Sequence, residues 1–260
     1  TAHQSEYSLV NAMVPVLNPA GVQDILDYGL YGWSLSRYSG CWVGLKCGHD
    51  TVEASASVSI SVDRIQTMVP EDFVAPSGGV HIRWPDGFLE QEERLHRYKL
   101  EAVEAFARTN SIDSEVMGDS DGHMGIVTTG KSYLDVRRAM LELDIDDNRA
   151  KGLGLKLYKV GMSWPLGPNG VRTFARGLKQ LIVVEEKRGL IEQQIREILY
   201  GISNAPTIVG KRTENGENLF PAHGRLEAMD IALSIGERLV SSTGNEDLST
   251  QVEMLKKRQT

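Results

Sequence analysis

The chain reads as an α/β protein made of two doubly wound, mostly parallel open-sheet units. Three observations lead there. Short apolar runs rich in β-branched residues alternate with amphipathic stretches. From residue 124 onwards a strand-plus-helix pair recurs about every 25 residues, the spacing of doubly wound sheets. Gly and Pro punctuate the junctions, as at Ser39-Gly40 and Gly130.

In the first unit, Met13 to Leu17 is a short apolar run and Asn18-Pro19 follows it. Asn suits an N-cap and Pro the first helical position, so a helix is expected from about Ala20 to Arg37. Val22, Ile25, Leu26, Leu30 and Trp33 form its apolar stripe. Ser39-Gly40 ends it, and Cys41 to Leu45 reads as the next buried strand, giving strand–helix–strand. Residues 50–88 are punctuated by Pro70, Pro76, Gly78, Gly79, Pro85 and Gly87 and read as a surface arm, with Val58 to Val62 alternating as a half-exposed strand would. Glu90 to Thr109 reads as a charged helix, and 110–122 as a turn-rich boundary.

The second unit is more regular. Strands are expected at Gly125–Thr129, Leu155–Val160, Leu181–Glu185 and Thr207–Val209. Helices are expected from Lys131 or Ser132 to about Leu143, over Gly170–Leu178, and over Leu190–Tyr200 with Ile191, Ile195, Ile198 and Leu199 inward. Gly161 to Asn169 reads as a loop and 211–223 as a linker. Leu226 to Val240 reads as an amphipathic helix with Ile231, Ala232, Ile235 and Leu239 on one face. The polar tail after Ser241 is expected to be mobile.

Composition narrows the chemistry. The net charge is −7 and the isoelectric point about 5.4, which argues against a nucleic-acid footprint with its basic face. No run of about 18 apolar residues offers a membrane span, and no secretory signal opens the chain. The chain begins at Thr1 and is expected to be a piece of a longer protein. Its two cysteines, Cys41 and Cys47, fall short of the four or so thiolates of an iron–sulfur cluster. They read as thiols in a reducing cytoplasm, with a Cys41–Cys47 disulfide as the alternative.

Gly125 to Ser132 satisfies G-x-x-x-x-G-K-S, the phosphate-loop pattern of nucleotide-binding proteins. That chemistry needs a flexible loop whose N–H groups wrap phosphate. Here the four intervening residues, Ile126, Val127, Thr128 and Thr129, are all β-branched and favour extended backbone. The segment therefore reads as a strand, with Gly130 as the turn and Ser132 as the helix cap. Gly130, Lys131 and Ser132 stay as a candidate anion contact at a helix N-terminus, and a phosphate-loop nucleotide-binding protein or a non-catalytic interaction module stays as the alternative function. Gly118 to Gly122 lacks the EF-hand's twelfth-position Glu and reads as a polar turn. The six histidines lack ligand spacing, so no metal site is expected. His3, Gln4, Ser5 and Glu6 form a compact polar cluster before the first strand, and Glu185-Glu186-Lys187-Arg188 follow a strand's C-terminal end.

Seven strings are similar to one family: Val14-Pro-Val-Leu-Asn-Pro19, Gln23-Asp-Ile-Leu-Asp-Tyr-Gly-Leu-Tyr-Gly-Trp33, Leu35-Ser-Arg-Tyr-Ser-Gly-Cys-Trp-Val-Gly44, Leu95-His-Arg-Tyr-Lys99, Thr128-Thr-Gly-Lys-Ser-Tyr-Leu-Asp-Val-Arg137, Leu157-Tyr-Lys-Val-Gly-Met-Ser-Trp-Pro165 and Val183-Val-Glu-Glu-Lys-Arg188. They resemble the indolepyruvate ferredoxin oxidoreductases in their large fused bacterial form. The resemblance runs from about His3 to Leu239 and implies an internal fragment. Residues 1–110 resemble the closing half of a thiamine-diphosphate pyrimidine-binding domain with an arm at about 50–110. Residues 124–212 resemble a transketolase C-terminal-like domain, and 213–260 are expected to be a linker and amphipathic helix.

The implied reaction is oxidative decarboxylation of an aryl 2-oxoacid with coenzyme A and ferredoxin as partners. It uses thiamine diphosphate, Mg²⁺ and iron-sulfur clusters (4Fe-4S) in the parent enzyme. The resemblance places the cofactor-activating glutamate, the Mg²⁺ motif and the ferredoxin-type cysteines outside this chain, so the segment holds no cofactor completely. It implies that the partners include the remaining domains of the same polypeptide and a second copy in a homo-oligomer. Only His3-Gln4-Ser5-Glu6 resembles an active-site-adjacent loop, near the substrate, and no residue is assigned as catalytic.

Overall fold

The computed structural model describes residues 4–259. These divide into two compact units, one built from the chain up to Asp113 plus 160–170, the other from Ser114–Lys159 and 171 onwards. Each is a mixed α/β assembly on a sheet of mostly parallel strands. Elements are numbered along the chain.

In the first unit, α1 (Glu6–Asn11) leads into β1 (Val16–Leu17), α2 (Val22–Ser39) and β2 (Gly44–Leu45). β1 pairs parallel with β2 and antiparallel with β6 (Met162–Trp164), so a strand lies where a loop was expected. β2 is shorter than the Cys41–Leu45 expected, and Leu45 is exposed. α2 starts at Val22 because the Asn18 N–H donates to the Gly161 carbonyl (2.8 Å). The Ala20 N–H instead meets Asp24 Oδ2 at 2.9 Å, a carboxylate in the first turn where the helix dipole favours it. Gly40, with φ +69°, closes the helix by donating to Ser36 O.

The buried face of α2 is Tyr28, Gly32, Leu35 and Ser39, not the expected stripe. Leu26, Leu30 and Trp33 are exposed. The helix carries two apolar stripes, and the one with the small Gly32 admits Leu17 and Val43 against its backbone. That side builds the core with Leu17, Val103, Phe106, Ile112 and Met162.

The arm contains the single-turn α3 (His49–Val52) and otherwise lacks regular structure until α4 (Phe88–Arg94). Val58–Val62 is not a strand, and Ile60 and Val62 are exposed. Side chains hold the arm down in place of ladders. Gln23 bonds the backbone of Ser59 at both ends, Asn110 does the same for Met68, and Arg64 pairs with Asp27. The expected charged helix is broken by a π-helical turn, Leu95–Lys99, before α5 (Leu100–Thr109).

The second unit carries a five-stranded sheet ordered β3-β5-β4-β7-β8. β3 (Ser114–Met117) lies inside the expected boundary and runs antiparallel to β5 (Leu155–Val160). β4 (Met124–Thr129), β7 (Gln180–Val184) and β8 (Thr207–Val209) are parallel neighbours. α6 (Lys131–Glu142), α7 (Asp147–Gly152), α8 (Pro168–Ala175), α9 (Ile191–Leu199) and α10 (Ala228–Thr243) fill the connections.

Every residue of β4 is buried, as in strands covered on both faces. Met124 and Ile126 face the core with α6 and α10. Gly125 faces the other way, where a Cβ would collide with Leu178 and Phe174. The tail is not mobile. It forms α11 (Glu246–Gln259), with Leu248, Val252 and Leu255 buried in the same core. Leu248, Val252 and Leu255 recur at helical spacing inside otherwise polar text, so the stripe is narrow.

Candidate functional site

The C-terminal edge of the second unit's sheet gathers the charged residues that follow three parallel strands. Gly130-Lys131-Ser132 follow β4, Glu185-Glu186 follow β7, and Gly210-Lys211 follow β8. Ligands of open α/β sheets bind at this edge.

The phosphate-loop reading fails on backbone. Gly125, Ile126, Val127 and Thr128 pair in parallel register with Leu181, Ile182, Val183 and Val184. Their peptides are therefore committed to the ladder. Gly130 adopts φ +55° and ψ −141°, a conformation open to glycine, and turns the chain into α6. α6 begins at Lys131, so Ser132 is not its cap: it sits inside the first turn, fully buried, and its hydroxyl makes no hydrogen bond among the described residues. The strand-end Thr128 hydroxyl is in the same state.

Lys131 is engaged on three sides. Its Nζ donates to Asp135 Oδ2 (2.7 Å), Glu186 Oε1 (3.3 Å) and Leu226 O (3.0 Å). Burial pulls its pKa down, but Asp135 and Glu186 outweigh that and hold the ammonium above an ordinary lysine. Burial pushes the Asp135 carboxyl up, against the pull of Lys131.

A second cluster sits beside it. Glu185 is buried, and its carboxylate accepts the N–H groups of Leu190, Ile191 and Glu192, each at 2.9 Å. It thereby fills the anion position at the start of α9 with the chain's own carboxylate. Burial pushes its pKa up to about 7, against those donors and Lys211. Lys211 Nζ donates to Glu185 O (2.5 Å), and burial lowers its pKa. Glu192 accepts from the Lys211 N–H (2.8 Å) and from Arg196 (2.8 Å).

Sequence reasoning missed Asp135, Glu192 and Lys211. Lys131 and Asp135 are four apart on one helix, a visible pair. The other two are brought in by the sheet.

In the first unit, Gln4 and Ser5 precede α1 and Glu6 opens it; His3 lies outside the described residues. Glu6 is buried and pairs with Lys46 at 2.5 Å, while its Oε2 has no hydrogen-bond partner among the described residues. Gly118–Gly122 is the polar turn expected, with Ser120 Oγ 3.2 Å from both flanking aspartates.

The donors present do not fit thiamine diphosphate, Mg²⁺ or an iron–sulfur cluster. The one lysine at the candidate anion turn is already balanced by two carboxylates. Among the described residues no group of three or more His, Cys, Asp or Glu is placed to hold a metal. Cys41 is buried and Cys47 partly so, both free thiols. No helix is long and apolar enough to cross a membrane among the described residues.

A profile of the indolepyruvate oxidoreductase domain matches residues 114–260, over half of the chain. The indolepyruvate oxidoreductase subunit IorA of Pyrococcus abyssi is 25% identical over 192 residues, 71% of this chain and 28% of that protein. The same subunit of Archaeoglobus fulgidus is 26% identical over 205 residues, 74% of this chain and 30% of that protein. The chain thus spans under a third of the curated relatives it matches. A solved 2-oxoglutarate:ferredoxin oxidoreductase from Magnetococcus marinus, with 2-oxoglutarate, coenzyme A and succinyl-CoA bound, shares the fold. Its TM-score is 0.51 and its identity 16%, over 86% of this chain and 42% of that one. The chain belongs to the indolepyruvate oxidoreductase family.

Proposed function

We propose that this chain is a segment of an enzyme that oxidatively decarboxylates aryl 2-oxoacids, such as indolepyruvate, to acyl-coenzyme A while reducing ferredoxin. The segment's own role is to scaffold the cofactor-binding domains. The observation that carries this reading is the engagement of Lys131 by Asp135, Glu186 and the Leu226 carbonyl, which turns the most ligand-like motif of the chain into an internal strut. The Magnetococcus marinus relative holds a 2-oxoacid and coenzyme A, which supports both as partners of the whole enzyme.

Thiamine diphosphate supplies the decarboxylation chemistry when bound, on residues of the parent that this chain does not contain; Mg²⁺ and iron-sulfur clusters belong there too. The remaining domains of the polypeptide and a second copy are its structural partners, and the cytoplasm is its compartment. Gln4, Ser5 and Glu6, with His3, stay assigned to the neighbourhood of the substrate. The buried Glu6–Lys46 pair would hold that segment in place.

The test is turnover. Full-length parent protein with indolepyruvate and coenzyme A should reduce ferredoxin or a viologen, and the pure 260-residue chain should not. Reduction by the chain alone would overturn the scaffold reading. ATP or GTP binding by the chain, abolished by Lys131→Ala, would restore the phosphate loop.

A further inference from the structure

Lys99 is a buried lysine that forms no ion pair among the described residues. Its Nζ donates to the Gly40 carbonyl at 2.8 Å, closing the end of α2, and two N–H groups have no acceptor there. Buried ammonium without a counter-ion is costly and seldom kept without a use. The residue is the last of the π-helical turn between α4 and α5, an irregularity that recurs at functional sites.

The same turn lines a cavity of about 510 Å³, within the range of small-molecule sites. Its apolar walls are Ile82, Phe88, Leu89 and Leu95, and Gln91, Glu92, His96 and Lys99 supply its polar groups. Ile82, Phe88 and Leu89 are strongly exposed, at 68%, 91% and 78%. Three large apolar side chains turned to solvent around one cavity mark a surface that binds something. Glu92 also lines it and is exposed.

We propose that this cavity binds an organic monoanion, a carboxylate carried on an apolar body. The Lys99 ammonium would take the carboxylate, and Ile82, Phe88, Leu89 and Leu95 the apolar group. A charge-assisted bond to a desolvated ammonium is about twice as strong as a neutral one, which sets the preference for an acid over its amide. One lysine matches one negative charge.

The experiment titrates the 260-residue chain with 3-phenylpropanoate and with 3-phenylpropanamide, by calorimetry or heteronuclear NMR. The acid is expected to bind, and the amide at least tenfold more weakly. Lys99→Met should weaken the acid at least tenfold and leave the amide unchanged. Leu89→Glu alters an exposed side chain, so the fold survives, and places a second negative charge at the cavity; it should weaken the acid several-fold even if Lys99→Met fails to fold. No binding of the acid, equal binding of acid and amide, or indifference to both substitutions overturns the proposal. So does binding to the chain but not to the full-length parent, which would mark the cavity as a contact covered by other domains.

Discussion

Lys131 shows how one side chain decides between two readings of the same letters. In a phosphate loop its ammonium would be free to meet an anion. Here Asp135 and Glu186 hold it within 2.7 and 3.3 Å. Lys131→Ala should therefore lower stability by about 2–3 kcal/mol, because two partly buried carboxylates then lose the ammonium they share. Urea unfolding checks this, and an unchanged midpoint contradicts it.

Glu185 makes a separate statement about pH. Burial raises its folded pKa from the model-peptide value of 4.5 to about 7. The folded state then binds more protons than the unfolded state between those values, so stability attributable to this group falls as pH rises from about 4.5 to 7. The full effect is about 3 kcal/mol. Asp113, raised to about 6 by burial despite bonds from Gly161 and Met162, acts with the same sign. The stability difference between wild type and Glu185→Gln should move against wild type from pH 5 to pH 7.5. A difference that grows in favour of wild type with pH contradicts it.

At the scale of elements, α11 carries the most exact prediction. Leu255 is fully buried in the core shared by α6 and α10. Leu255→Ala should cost about 2–5 kcal/mol, against nothing for a mobile tail. Gly236 is the close approach on α10: an added Cβ would lie 2.6 Å from Val252 Cγ2 and 2.9 Å from Leu143 Cδ2. Gly236→Ala should destabilise by about 1–3 kcal/mol even though alanine favours a helix by about 1 kcal/mol. Thermal unfolding of both variants decides.

The strands β4 and β7 were legible because each carries a β-branched run buried almost throughout, whereas β5 shows only its Leu155, Leu157 and Val160 and β8 is a short β-branched run with Thr207 exposed. β8 matches its expected bounds, Thr207–Val209. β1, β2 and β6 are two or three residues long and carry no periodicity to read. The face of α2 was misassigned because Leu26, Leu30 and Trp33 outweigh Tyr28, Gly32 and Leu35 in hydrophobicity, yet the small Gly32 is what lets the core approach. The Val58–Val62 alternation lacked a partner strand, and side-chain bonds from Gln23 and Asn110 hold its neighbourhood instead. The turn at Gly130 was legible from four β-branched residues. The Glu185 and Lys211 clusters were not, since they depend on which strands become neighbours.

At the scale of the whole molecule, the chain is two α/β units, and the family profile over 114–260 makes it a member of the indolepyruvate oxidoreductase family. Its charged sheet edge pairs Lys131 internally with Asp135 and Glu186, which supports the proposed scaffold role. The most direct test of that account is the steady-state rate of the full-length parent carrying Lys131→Met. We expect a lower unfolding temperature and a kcat/KM for indolepyruvate within about fivefold of wild type, or about 1 kcal/mol. A folded variant with turnover abolished would make Lys131 part of the chemistry and contradict the account.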